Sequence, residues 1–153
     1  MSKQKKVLQS VGALITDDQG RILLQKRDDF ANIYFPGLWG VFGGAVENAE
    51  TPVQAIIREV EEELSVVTFD PKLFLKWDIC TEHLGAESRK RFFFHIHFDS
   101  DMVNSIKLQE GAEYRFFEPN DLPAFACIVP FDLAALSLYI HVKIIGSQIM
   151  PKF

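Results

Sequence analysis

The chain has 153 residues, 48% of them hydrophobic, and 16 Lys and Arg against 21 Asp and Glu leave a formal charge of −5. That describes one soluble globular domain, able to bury a core without disulfides or structural metal, and fourteen Phe residues supply the core. An acidic balance with no Lys/Arg run excludes a protein that coats DNA or RNA, whose affinity would come mainly from phosphate neutralisation.

The start, MSKQKK followed by VLQSVGALIT, carries charge but no uninterrupted apolar segment ending in a small-residue cleavage site. A secretory leader is therefore not expected, and Cys80 and Cys127 read as reduced thiols of a cytoplasmic protein. Residues 7 to 16 alternate as a strand, Asp17-Asp18-Gln19-Gly20 has turn chemistry, and RILLQKR returns, which makes a hairpin. A loop from Asp28 to Gly37 leads to a short apolar strand, LWGVF, ending at Gly43-Gly44.

A helix is expected from a Thr51 cap to about Leu64, because Pro52 suits the first helical position and Gln54 completes a capping box. Residues 66 to 80 and 90 to 99 read as strand-rich. Within RFFFHIHF one parity collects Phe92, Phe94, Ile96 and Phe98, and the other Phe93, His95 and His97. His95 and His97 lack a third ligand in register, which argues against a transition-metal pair. A strand over Glu113 to Glu118 precedes the Pro119–Pro123 break. Residues 122 to 140 are too interrupted by Pro123, Pro130 and Asp132 to cross a membrane, and read as a buried loop entering a core helix from Phe131 to Ile145. No repeat or linker divides the chain, so one domain over residues 1–153 is expected. Its class is α/β, with a mixed sheet between helices.

On a helical wheel Val53, Ile56, Ile57, Val60 and Leu64 form the expected buried stripe, while Glu59, Glu62 and Glu63 share an adjoining arc and Glu61 points away. A solvated acidic face is the ordinary explanation for such a run. Against it, like charges at these spacings cost ~0.2–0.5 kcal/mol per pair, and carboxylates at a helix C-terminus oppose its dipole by a further ~0.3–1 kcal/mol. A bound Mg²⁺ or Mn²⁺ would relieve both and could bridge to phosphate oxygens. The glycines Gly43 and Gly44 let backbone approach an ion or a phosphate. Glu47 and Glu50 follow them, Arg58 lies one turn before Glu62, and Lys26 and Arg27 at the end of the second strand could meet phosphate charge.

Together these residues resemble the Nudix hydrolase family, whose box is G-x5-E-x7-R-E-U-x-E-E-x-G-U with U a bulky aliphatic. The segment GAVENAETPVQAIIREVEEELSV, Gly44 to Val66, matches at Gly44, Glu50, Arg58, Glu59, Val60, Glu62, Glu63 and Val66, with Ser65 in place of the last glycine. The hairpin with QKR, Trp39 before the glycine pair, and EGAEYRFFEPNDLP look like the family's flanks, so the resemblance spans most of residues 7 to 123. It implies an α/β/α sandwich and Mg²⁺-dependent hydrolysis, with Mn²⁺ as an alternative ion. The substrate class would be a nucleoside diphosphate linked to another group, such as a nucleoside triphosphate or a nucleotide sugar.

By the same resemblance Glu59, Glu62 and Glu63 would be metal ligands, Glu50 a weaker or water-mediated one, Arg58 the residue orienting the carboxylates, and Glu110 an extra ligand or base. Glu59 is the favoured base, because a helix holds a group more firmly than a loop does. Phe42 stands where many members have proline, and no Asn follows Leu122, so the general reaction is implied more firmly than a cleansing of oxidised guanine nucleotides. The competing function is a non-catalytic nucleotide-binding or sensor module of the same fold. Intact box carboxylates favour the enzyme. Expected partners are a small nucleotide, with no nucleic-acid polymer and no membrane, for a monomer or homodimer.

Overall fold

A computed structural model describes residues 7–145; the MSKQKK start and residues 146–153 lie outside the described residues. Strands β1 (Leu8–Asp17) and β2 (Ile22–Lys26) form the expected hairpin, and β3 (Trp39–Gly40) pairs with the far end of β2. Helix α1 (Pro52–Leu64) is followed by β4 (Lys72–Ile79) and β5 (Arg89–Phe98), the short helix α2 (Ser100–Ser105), β6 (Glu113–Phe117) and α3 (Pro130–Ile140), which continues into a π-helical turn at His141–Ile145. The sheet order is β3-β2-β1-β5-β4 with β6 on the other edge of β2; β1 runs parallel to β5 and the remaining strand pairs are antiparallel.

The two parities of β5 sort into two cores. Phe94, Ile96 and Phe98 join Ile56, Val60 and Leu64 under α1, while Phe93 joins Leu14, Leu24 and Leu136 under α3. Helices thus cover both sheet faces, as the mixed α/β reading expected. Among the described residues no helix is long and apolar enough to cross a membrane.

The β1–β2 ladder closes only at Ile15–Leu23 and Thr16–Ile22, after which the strands splay. Residues 39–45 fill the gap. Gly40 pairs with Gln25 of β2, whereas Phe42 and Ala45 bridge to Ala13 and Ser10 of β1. LWGVF is therefore a strand that changes partner midway, and it delivers Gly43 and Gly44 to the C-terminal half of α1.

Four expectations need correction. Residues 66–71 form no strand, because Ser65 and Asp70 take left-handed backbone and Pro71 follows, so β4 starts only at Lys72. On α1, Ala55 is buried and Val53 exposed, the stripe having turned toward Glu63. The segment before α3 is largely exposed, with Phe125 78% accessible. Helix α3 buries one side only, through Asp132, Ala135 and Leu136, while Leu138 and Val142 beyond them face out. Helix α2, capped by Asp99 accepting from Met102 N at 2.9 Å, went unread in the sequence.

Candidate active site

Helix α1 begins as its sequence dictates: Thr51 Oγ1 accepts from Gln54 N at 3.2 Å and Gln54 Oε1 accepts from Thr51 N at 2.9 Å. It ends at Ser65, whose backbone is left-handed at φ 58° and whose N–H donates to Glu61 O at 2.9 Å. Between these caps Ile56, Val60 and Leu64 seat the helix on the sheet and fix the azimuth of its glutamates.

Glu63 is pulled inside, 5% exposed, and its Oε2 accepts from Gly43 N at 3.1 Å. Burial, reinforced by the charge of Glu59, lifts its pKa from 4.5 to about 8. Burial also raises Glu59 above the usual carboxylate range, although Arg58 opposes the shift. A Cβ on Gly44 would lie within 2.8 Å of both Glu59 carboxylate oxygens, so glycine is the residue that leaves this carboxylate its room. Gly43, at φ 144°, has no space for a side chain against the Val11–Gly12 backbone.

Arg58 gathers the acids. Its Nε donates to Glu50 Oε1 at 2.8 Å, Nη2 to Glu50 Oε2 at 3.1 Å and to Ala45 O at 3.0 Å, and Nη1 to Glu59 at 2.9 Å and Glu62 at 3.0 Å. Hydrogen bonds from Arg58 and from Glu47 N hold Glu50 below the usual carboxylate range. Glu50 is thus engaged as the counter-ion that braces Arg58. Glu62, more than half exposed, turns to the outer side of the helix.

A cleft of about 270 Å³ opens where these elements meet, lined by Gln25, Arg27, Asp28, Ile33, Gly43, Gly44, Glu59, Glu63, Glu110 and Gly111. Of the residues singled out in the sequence it brings together Glu59, Glu63, Glu110, Arg27, Gly43 and Gly44. It leaves out Lys26, Glu50, Arg58 and Glu62. Lys26 is excluded by the two-residue period of β2, which points Gln25 to one face and Lys26 to the other. Gln25 itself was missed, although a polar residue within ILLQK at 5% exposure is the usual mark of a functional or bridging group. Asp28, Ile33 and Gly111 carried no such mark.

Glu110 reaches the cleft on a loop tied down on both sides. Lys107 N donates to Leu64 O at 2.9 Å, Gln109 N to Glu63 O at 2.8 Å and Ala112 N to Lys26 O at 2.9 Å. Four carboxylates therefore line the cleft, those of Asp28, Glu59, Glu63 and Glu110, with Arg27 as the lining cation. Among the described residues no three acidic, His or Cys side chains are gathered as closely as a metal would hold them. Glu59 and Glu62 both lean on Arg58 Nη1. The donor set nevertheless suits a hard divalent ion: carboxylates only, one of them buried against its own ionisation, beside a backbone that a side chain would block. On the opposite sheet face His95 contacts Thr16 Oγ1 at 2.8 Å and His97 contacts Asp18 at 2.9 Å, each with its own partner.

The chain is similar to known proteins over most of its length. A family model described as NUDIX domain matches residues 6–137. The chain is 32% identical over 117 residues to a nucleoside triphosphatase, NudI, of Escherichia coli, covering 71% of this chain and 80% of that protein. It is 38% identical over 74 residues to an 8-oxo-dGTP diphosphatase of Haemophilus influenzae, a match that spans 46% of this chain and half of that protein's length. Among solved structures, a MutT NUDIX hydrolase from Burkholderia pseudomallei superposes with a TM-score of 0.71 at 27% identity, covering 87% of this chain and 98% of that one.

Proposed function

This chain belongs to the Nudix hydrolase family, and on that premise we propose that it hydrolyses a phosphoanhydride bond in a nucleoside diphosphate linked to a further group, using a divalent cation. A nucleoside triphosphate is the first substrate to try, since the relatives compared above are named for triphosphates. The observation that carries the reading is the convergence of Glu59, Glu63 and Glu110 with Gly43, Gly44 and Arg27 on one cleft.

Glu59 and Glu63 would hold the ion; Glu62, outside the cleft in this structure, would join them only by turning from Arg58 Nη1, which it shares with Glu59. When bound, Mg²⁺ or Mn²⁺ neutralises diphosphate charge and acidifies a coordinated water. Arg58 keeps the carboxylates in place, itself braced by Glu50. Arg27 meets the remaining phosphate charge, while Gly43 and Gly44 let the diphosphate come close to backbone. Either Glu59 or Glu110 takes the proton of the attacking water as its oxygen bonds to phosphorus; the anhydride P–O bond breaks, and its electron pair leaves with the departing phosphate oxygen.

The test is a panel of nucleoside triphosphates, nucleotide sugars, ADP-ribose and dinucleoside polyphosphates, each with Mg²⁺ and with Mn²⁺, scored for nucleotide products and released phosphate or pyrophosphate. Turnover of at least one class, lost on chelation, is the expected result. Binding of a nucleotide without cleavage of any would point to the sensor function instead.

A further inference from the structure

Residues 39–45 carry a backbone problem at their midpoint. Gly40 is hydrogen-bonded in the β2 ladder and Phe42 O accepts from Ala13 N at 2.7 Å, so at Val41 the strand has left one partner and only begins to meet the next. Val41 is 4% exposed, and a buried peptide group without partners costs about 1–3 kcal/mol. Both of its groups are met by side chains. Val41 N donates to Asp132 Oδ2 at 3.0 Å, and Gln25 Nε2 donates to Val41 O at 3.3 Å.

Asp132 sits in the first turn of α3, 2% exposed, on the sheet face opposite the cleft. Its Oδ1 accepts from Arg91 Nη2 at 2.9 Å, and Arg91 Nη1 reaches Ser10 Oγ on β1 at 3.2 Å. The α3 entry is stitched to the same strand again where Val129 N donates to Trp39 O at 2.8 Å. A Cβ on Gly40 would come within 2.7 Å of Asp132 Oδ2, so glycine there admits the carboxylate to the backbone. Two residues beyond Val41, Gly43 N donates to Glu63.

We infer that Asp132 is a positioning residue for the cleft: by accepting from Val41 N it fixes where the strand changes partner, and thereby holds Gly43 against Glu63. A carboxylate on the terminal helix thus acts through the sheet on a carboxylate of α1. Its effect on the backbone stands on the contacts above, whereas its effect on metal binding rests on Glu63 being a ligand, as proposed.

The experiment is amide exchange of Gly43 by NMR in the metal-free protein, with Mn²⁺ titration of the same samples. Asp132→Ala is compared at equal global stability with Leu136→Ala, a core truncation of the same helix. Gly43 should exchange at least ~10-fold faster in Asp132→Ala than in Leu136→Ala, and Mn²⁺ should bind at least ~10-fold more weakly. Asp132→Asn keeps a carbonyl acceptor for Val41 N while turning its amide nitrogen to Arg91 Nη2, so it loses global stability but, compared at equal stability, should stay within ~3-fold of the wild type on both readouts. Gly40→Ala, which displaces the carboxylate oxygen without removing it, should resemble Asp132→Ala and serves if that variant does not fold. Equal Gly43 exchange in Leu136→Ala and in Asp132→Ala, or in Gly40→Ala if that variant is the one that folds, would overturn the inference. Faster Gly43 exchange in Asp132→Ala than in Leu136→Ala, together with a wild type that takes up no Mn²⁺, would leave the positioning role standing and remove the metal reading.

Discussion

Glu63 shows most plainly that the cleft is built for more than its own residues. In the unfolded chain it ionises as an ordinary carboxyl, near 4.5, and in the fold near 8. Between those values the folded state holds a proton that the unfolded state has lost. Its stabilising contribution is therefore complete below about pH 4.5 and disappears as pH rises through about 8. Glu63→Gln, which can still accept from Gly43 N, should raise the Tm of metal-free protein by at least ~3 °C at pH 8 and leave it unchanged at pH 4.5. A pH-independent gain, or a loss at pH 8, would contradict this account of its burial. Glu59 and Glu110 separate by kinetics. If Glu59 is both ligand and base, Glu59→Gln should lower turnover at saturating metal by ~10²-fold, while Glu110→Gln should recover much of its activity with added Mg²⁺. A loss in Glu110→Gln that no Mg²⁺ concentration relieves would transfer the base to the loop.

At the scale of elements, the local signals of α1 were legible and its azimuth was less so. Thr51, Pro52 and Gln54 marked its start correctly because capping is a contact between near neighbours in sequence. Val53 was misplaced because the buried stripe depends on the sheet beneath, where Ala55 fits and Glu63 is drawn in by Gly43. The proposed catalytic grouping inherited that limit. Spacing joined Glu59, Glu62 and Glu63, but only the fold turns Glu62 outward and carries Gln25 and Glu110 to the other two. At the end of α1 Ser65 takes the left-handed turn, where its Oγ accepts from Gln109 Nε2 at 3.1 Å. Ser65→Gly relieves the backbone at the cost of that exposed bond, so a net stabilisation of up to ~1 kcal/mol with little change in turnover is expected from urea unfolding and steady-state assays. A large change in turnover would mean that the loop after α1 touches substrate.

Over the whole molecule, the sheet separates the proposed chemistry from its inferred support. The α1 face carries Glu59, Glu63 and the cleft, and the α3 face carries Asp132 and Arg91, joined through one strand that changes partner between them. The mixed α/β class could be read from the order of the elements, strands on either side of one capped helix with a further helix after them. The crossing at Val41 could not, because it arises from the splaying of β1 and β2, a long-range property that no local pattern encodes. What the assembled cleft is for comes down to its dependence on a cation. The most direct measurement is the rate of nucleoside triphosphate hydrolysis against Mg²⁺ concentration for wild type and Glu63→Gln. The account predicts no turnover of wild type under chelation, saturable activation by Mg²⁺, and a loss of at least ~10²-fold in the variant. Activity that survives chelation, or a Glu63→Gln enzyme turning over near the wild-type rate, would contradict it.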